Sequence, residues 1–197
     1  MSDGIGGPLR TVSLKMFTDA FTVKGRLETR HRRISDALNE AQAGFLVLSD
    51  VQFDEYRTAS AVMRAEFAQV NLGSVLFVVS DEVVAPEPAL ATPKVSEEAL
   101  ISIPPFTIRG RIHLLAERPL REGLSELHGE FIPVTNAVYW SDSLGEARTS
   151  VAIAAVNHAR CQILAPHHEV DPWAGMPTGS PSDGKSSDGS PSEPSGW

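Results

Sequence analysis

Apolar and polar residues alternate from Thr11 onward, with Val12, Leu14 and Met16 set against Ser13 and Lys15, which predicts a first strand ending near Thr18-Asp19. Phe17 breaks the pattern by placing a ring on the polar face. In the next alternation, Phe21, Val23, Gly25 and Leu27 oppose Thr22, Lys24, Arg26 and Glu28, so Gly25 falls on the face meant for the core. A glycine there marks a bulge, a sharp bend or the close approach of another backbone. Ile34, Ala37, Leu38 and Ala41 then recur at helical spacing, predicting one short amphipathic helix with Ser35 as its N-cap and Asp36 at the positive end of its dipole. Gly44 stops it. The apolar run Phe45 to Val51 reads as a buried strand, Asp54 to Arg64 as the connection of a long hairpin, and Glu66 to Asn71 and Ser74 to Val79 as two further strands. Asn71-Leu72-Gly73 forms the turn between them, because Asn and Gly tolerate positive φ.

This pattern occurs twice. Phe21-Thr22-Val23-Lys24-Gly25-Arg26-Leu27 returns as Phe106-Thr107-Ile108-Arg109-Gly110-Arg111-Ile112, an offset of 85. After a one-residue slip, Ile34, Leu38, Phe45 and Asp50 face Leu120, Leu124, Phe131 and Asn136, and Phe67 to Asn71 faces Ile153 to Asn157 at the same offset of 86. A register held across three blocks is the signature of a tandem duplication. The predicted layout is an arm over 1–10, copy one over 11–84, a Pro- and Ala-rich linker over 85–95, copy two over 96–175 and a disordered tail over 176–197. Copy two repeats the elements as a strand at Phe106–Leu114, a helix at Leu120–Leu127, a buried strand at Phe131–Trp140, and strands at Thr149–Val156 and Arg160–Leu164. Pro133 stands in that buried strand where copy one has Val47, which predicts an edge or a bulge, since proline donates nothing to a ladder. Units of about 70 residues bury little surface alone, so the copies are expected to pack on each other or to self-associate.

The resulting fold class is mainly β, two tandem five-stranded barrels of the SH3 or Sm type, each with one short inserted helix. Lys24-Gly25-Arg26-Leu27 resembles the bent second strand of the Sm-like (LSm and Hfq-like) group, Phe45 to Val51 resembles its third, and Asn157-His158-Ala159 with Cys161, Ile163 and Pro166 is similar to the Hfq-like closing segment. The helix between second and third strands departs from that group and replaces the loop with which it holds a uracil. The unit also looks like an uncharacterised bacterial domain family of unknown function. The first resemblance implies an RNA-binding Sm-like protein as one functional alternative; the second implies no activity.

Composition narrows the choice. With 197 residues and a net charge of −8, of which the tail supplies only −2, the folded part is itself acidic, which disfavours RNA or other nucleic acid as a partner. A single cysteine, Cys161, allows neither an internal disulfide nor a thiolate metal site. Met1 to Pro8 lack a charged head followed by an apolar run, and no apolar stretch approaches a membrane span, so a soluble, cytoplasmic protein is expected.

Candidate chemistry is sparse. His113, His128, His158, His167 and His168 all fall in copy two, without the paired spacing of a metal site, and no phosphate-cradling or dinucleotide motif points to a cofactor. Cys161 lies three residues from His158, which leaves a small hydrolase with a site in copy two as a second alternative. The candidate ligand or partner contacts are the turn residues Asn71 and Asn157, His158, the basic cluster Arg30, Arg32 and Arg33, and Trp140; Gly25 and Gly110 are candidate structural positions. Apolar and glycine positions recur between the copies and the candidate catalytic residues do not. The expected function is therefore a non-enzymatic interaction or assembly module with a protein partner or itself.

Overall fold

The computed structural model describes residues 7–56, 62–80, 94–116 and 119–167. The tail over 176–197, His168, most of the linker and most of the arm lie outside these residues. Copy one runs β1 (Arg10–Thr18), β2 (Phe21–Thr29), α1 (Ile34–Asn39), β3 (Phe45–Glu55), β4 (Met63–Asn71), a 3-10 turn (Leu72–Ser74) and β5 (Val75–Ser80). Copy two runs β6 (Lys94–Ile103), β7 (Phe106–Leu115), α2 (Leu120–Ser125), β8 (Phe131–Ser141), β9 (Glu146–Asn157), a 3-10 turn (His158–Arg160) and β10 (Ile163–Pro166). Apart from a further 3-10 turn (Gln42–Gly44) between α1 and β3 of copy one, the order of elements is the same in both. No helix among the described residues is long and apolar enough to cross a membrane.

All ten strands join one antiparallel sheet in the order β10-β6-β7-β8-β9-β5-β1-β2-β3-β4. Each copy contributes its strands as fifth, first, second, third, fourth, and the two blocks meet where β5 pairs with β9. The expectation of two separate barrels is corrected here. β4 does not return to β5, nor β9 to β10, so neither block closes on itself. The physical reason lies in β5, whose second edge is taken by copy two from Phe77↔Val156 to Ser80↔Ile153. Backbone groups that a closed barrel would pair internally are paired here across the repeat boundary.

The repeated glycines sit within equivalent irregularities of the ladder. The β2–β3 register shifts between Lys24 and Arg26, and the β7–β8 register shifts between Arg109 and Arg111. Asp50 and Asn136, at matching positions of the facing strands, take φ of 49° and 50°. A Cβ on Gly25 would lie 3.1 Å from Leu48, and one on Gly110 would lie 2.6 Å from Val134 Cγ1 and 3.0 Å from the Thr135 carbonyl. Absence of a side chain thus lets β3 and β8 bulge inward against β2 and β7. Pro133 belongs to an interior strand rather than an edge, and it stands beyond the last β7–β8 rung, Arg111↔Thr135. Ser35 does not cap α1; the N-cap is Arg33, and the Ser35 hydroxyl turns to Asp36.

Each block wraps its own core, but both cores borrow from the other copy. Val12, Leu14, Met16, Leu38, Leu48 and Val75 form the first, to which Phe131 and Ala155 of copy two are added. Ile101, Ile103, Phe106, Ile108 and Val134 form the second, to which Phe17, Phe77 and Val79 of copy one are added. This explains Phe17: both faces of β1 are buried near its end, so alternation fails there.

Candidate interaction site at the joint between the copies

The β5–β9 joint brings rings and buried polar groups of both copies together. Its centre is a cluster of five rings, Phe17, Tyr56 and Phe77 from copy one with Phe106 and Tyr139 from copy two. Phe17 stacks on Phe77 at 4.3 Å between centroids, and Phe106 meets both edge-on at 5.1 Å. Such pairs add about 0.5–1.5 kcal/mol each beyond their area. The Tyr56 hydroxyl donates to the Thr18 carbonyl at 3.1 Å, and burial pushes its pKa upward.

Polar groups lock the same joint. Asn157 is buried, and its Nδ2 donates to the carbonyls of Val75 at 3.0 Å and Leu72 at 3.3 Å, which ties the end of β9 to the 3-10 turn of copy one. Its Oδ1 is buried without a hydrogen-bond partner among the described residues. Asn39, at the end of α1, accepts from the Phe131 N–H at 2.8 Å and donates to the Phe131 carbonyl at 2.9 Å, holding that ring in the first core. Arg160 donates to the Gly73 carbonyl and pairs with Asp19.

A cleft of about 540 Å³ opens beside the joint over Gly25, between Lys15, Lys24 and Arg26 on one side and Tyr139, Thr149 and Val151 on the other. Its charges are largely matched: Arg26 meets Asp50 at 3.0 Å and Lys15 lies 3.5 Å from Glu146. The equivalent cleft over Gly110, lined by Arg109, Asn136, Trp140 and Arg148, measures about 260 Å³. It has one wall fewer, because among the described residues no strand stands beside β10 as β9 stands beside β5.

The residues singled out from sequence do not converge on one site. Asn71 is exposed at the end of β4, where its Oδ1 accepts from the Gly73 N–H at 3.0 Å, while its counterpart Asn157 is inside the joint. His158 opens the turn after β9, and its N–H donates to the Glu130 carbonyl at 2.7 Å. Arg30, Arg32 and Arg33 lie between β2 and α1, where Arg10 donates to the carbonyls of His31 and Arg32. Trp140 lies far along β8 with the Arg148 guanidinium 4.5 Å above its ring. Sequence reasoning missed Asn39, Phe131 and the ring cluster as parts of one site; the departure of Phe17 from its strand's alternation was the available signal.

The thiol chemistry is poor. Cys161 donates to the Asn157 carbonyl at 3.3 Å, and burial pushes its pKa up to about 11, the reverse of what a nucleophile requires. His113 bonds Thr135 Oγ1 at 2.9 Å, and its pKa is lowered first by burial and then by Lys94, Arg33 and Arg111. Among the described residues no three His, Cys, Asp or Glu side chains are grouped to hold a metal. No family model matches this chain, and neither curated proteins nor solved structures show a match.

Proposed function

We propose that this chain is a non-enzymatic interaction and assembly module, built from a duplicated Sm-like β unit, that engages protein by adding strands to its sheet. The observation that supports this most directly is the β5–β9 joint, in which one copy binds the other by strand addition, an inserted phenylalanine and a buried asparagine. The module that makes this contact internally also ends in two strands, β4 and β10, that no described residues pair on their outer edge. Both carry exposed apolar side chains, Met63 and Phe67 on β4 and Ile163 on β10. Uncovered apolar edges of this kind accept further strands. The acidic balance of the chain argues against a phosphate backbone as the occupant.

Two charged variants of the full-length chain, Phe67→Lys and Ile163→Lys, test the reading, with circular dichroism confirming the fold. Each is expected to weaken protein complexes seen by native mass spectrometry at least tenfold. Labelled oligouridine and oligoadenine, titrated at physiological salt, are expected to leave fluorescence anisotropy unchanged. Salt-dependent RNA binding, or complexes indifferent to both substitutions, overturns the proposal.

A further inference from the structure

The geometry points to a second copy of this chain as the occupant of the open edge: β10 of one molecule pairs antiparallel with β4 of the next, repeating the inner joint between molecules. This rests on the strand-addition reading above and names its partner. The equivalence of the two copies supplies the register. Phe17↔Phe77 in the β1–β5 pair corresponds to Ser102↔Ile163 in the β6–β10 pair, and Met16↔Val78 to Ile101↔Leu164, so β5 maps onto β10 residue by residue. β9 maps onto β4 by the 86-residue offset. The inner rungs Phe77↔Val156, Val78↔Ala155 and Val79↔Ala154 thereby become Ile163↔Val70, Leu164↔Gln69 and Ala165↔Ala68 between chains.

Three independent features of the uncovered ends fit this pairing. Phe131 is 0% exposed where it enters the core of copy one, whereas its counterpart Phe45 is 43% exposed on β3, next to the β4 edge. The matching receptor is equally unfinished: Ile34, Leu38 and Val75 around Phe131 are buried, and their counterparts Leu120, Leu124 and Cys161 are only partly so. Ile163, 60% exposed, stands where Phe77 stands in the ring cluster, and the residues matching Phe106 and Tyr139 are Phe21 and Phe53, which already meet edge-on. The smaller cleft over Gly110 gains its missing wall from Met63, Arg64 and Ala65 of the next chain, the counterparts of Thr149, Ser150 and Val151. Asn71 then donates to the carbonyls of His158 and Cys161, as Asn157 does to those of Leu72 and Val75.

The contact is head-to-tail, so it generates a ring if its rotation closes and a filament if it does not. Gln69 in place of Ala155, Ser125 in place of Asn39, Ser74 in place of Arg160 and Pro166 in place of Ser80 remove several inner contacts, which makes the outer joint reversible.

Cysteine pairing in a Cys161→Ser background tests the register. Ala68→Cys and Ala165→Cys, each alone, are expected to remain uncrosslinked on mild oxidation, their equimolar mixture to give a dimer with one of each, and the double variant to give a ladder. Light scattering of the unmodified chain is expected to show masses that are multiples of 21.2 kDa and rise with concentration. A monomer at every concentration with no mixed dimer overturns the inference, as does a dimer from Ala68→Cys alone, which would mean β4 pairing with itself. If self-pairing fails while Phe67→Lys still abolishes a complex with another protein, strand addition survives and only its partner is wrong; edges inert toward both defeat the two together.

Discussion

β9 and β4 hold the same place in the two copies, yet Ala154, Ala155, Val156 and Asn157 are buried while Gln69 and Asn71 are exposed. The difference comes from what stands beside each strand. β9 has β5 on its outer side and β4 has no neighbour there among the described residues. Small residues, Ala154 and Ala155, occupy the covered strand, whereas the uncovered one carries Phe67 and Gln69 with room around them. Equivalent side chains thus carry unequal weight, and the inequality can be measured.

The largest contrast is expected between the two phenylalanines that open β8 and β3. Phe131→Ala empties a fully buried site in the first core and is expected to cost about 3–5 kcal/mol. Phe45→Ala, in dilute protein, is expected to stay within about 0.5 kcal/mol of the parent. Urea unfolding of both measures the gap, and equal losses would mean that the inner joint holds nothing together.

The glycines sharpen the comparison within the blocks. A branched side chain at Gly110 meets Val134 and the Thr135 carbonyl at closer range than one at Gly25 meets Leu48 and Ser49. Both Gly→Val changes are expected to destabilise by about 1–3 kcal/mol, with Gly110→Val the worse of the two in thermal melts. Asn157→Ala removes two bonds that cross the joint and is expected to cost about 1–3 kcal/mol, against less than about 1 kcal/mol for Asn71→Ala, whose carboxamide supports only its own turn.

Histidine titration separates the copies by pH. The folded-state pKa of His113 lies below its ordinary value, so the unfolded chain takes up the proton first as pH falls. Its contribution is complete above about pH 6.5 and is lost progressively as pH drops from there through the lowered value. His113→Gln is expected to flatten that part of the stability–pH curve, measured by urea melts between neutral and mildly acid pH. The smallest effect is expected from Asp50→Asn. Its pair with Arg26 is exposed, worth about 0–1 kcal/mol, and copy two already uses Asn136 at the same positive φ. A larger, salt-independent loss would show that the two bulges are not equivalent.

Much of this was legible in the chain. The order of elements and the inward-facing glycines follow from periodicities of two and of 3.6, which are local properties of the backbone. Strand ends were less legible: β3 runs on to Glu55 because its last residues pair with Phe21 and Thr22 of β2, and β4 starts at Met63, opposite Phe53, so pairing extends both strands into polar sequence. The short helices end at Asn39 and Ser125, before the apolar spacing does.

What remained for the tertiary structure was the choice of partner for β5. Its apolar run identifies a buried strand, but the backbone groups on its second edge are the same whether β4 or β9 answers them. Only the fit of Phe131, Asn39 and Asn157 against copy one distinguishes the two. For the same reason Asn71 and Asn157, each following a valine at the end of its strand, differ in role: one closes its own turn and the other bonds across the joint. Side-chain alternation reports which face of a strand is covered, whereas edge pairing is made by backbone donors and acceptors that every residue except proline shares, so the neighbour is decided by packing at long range.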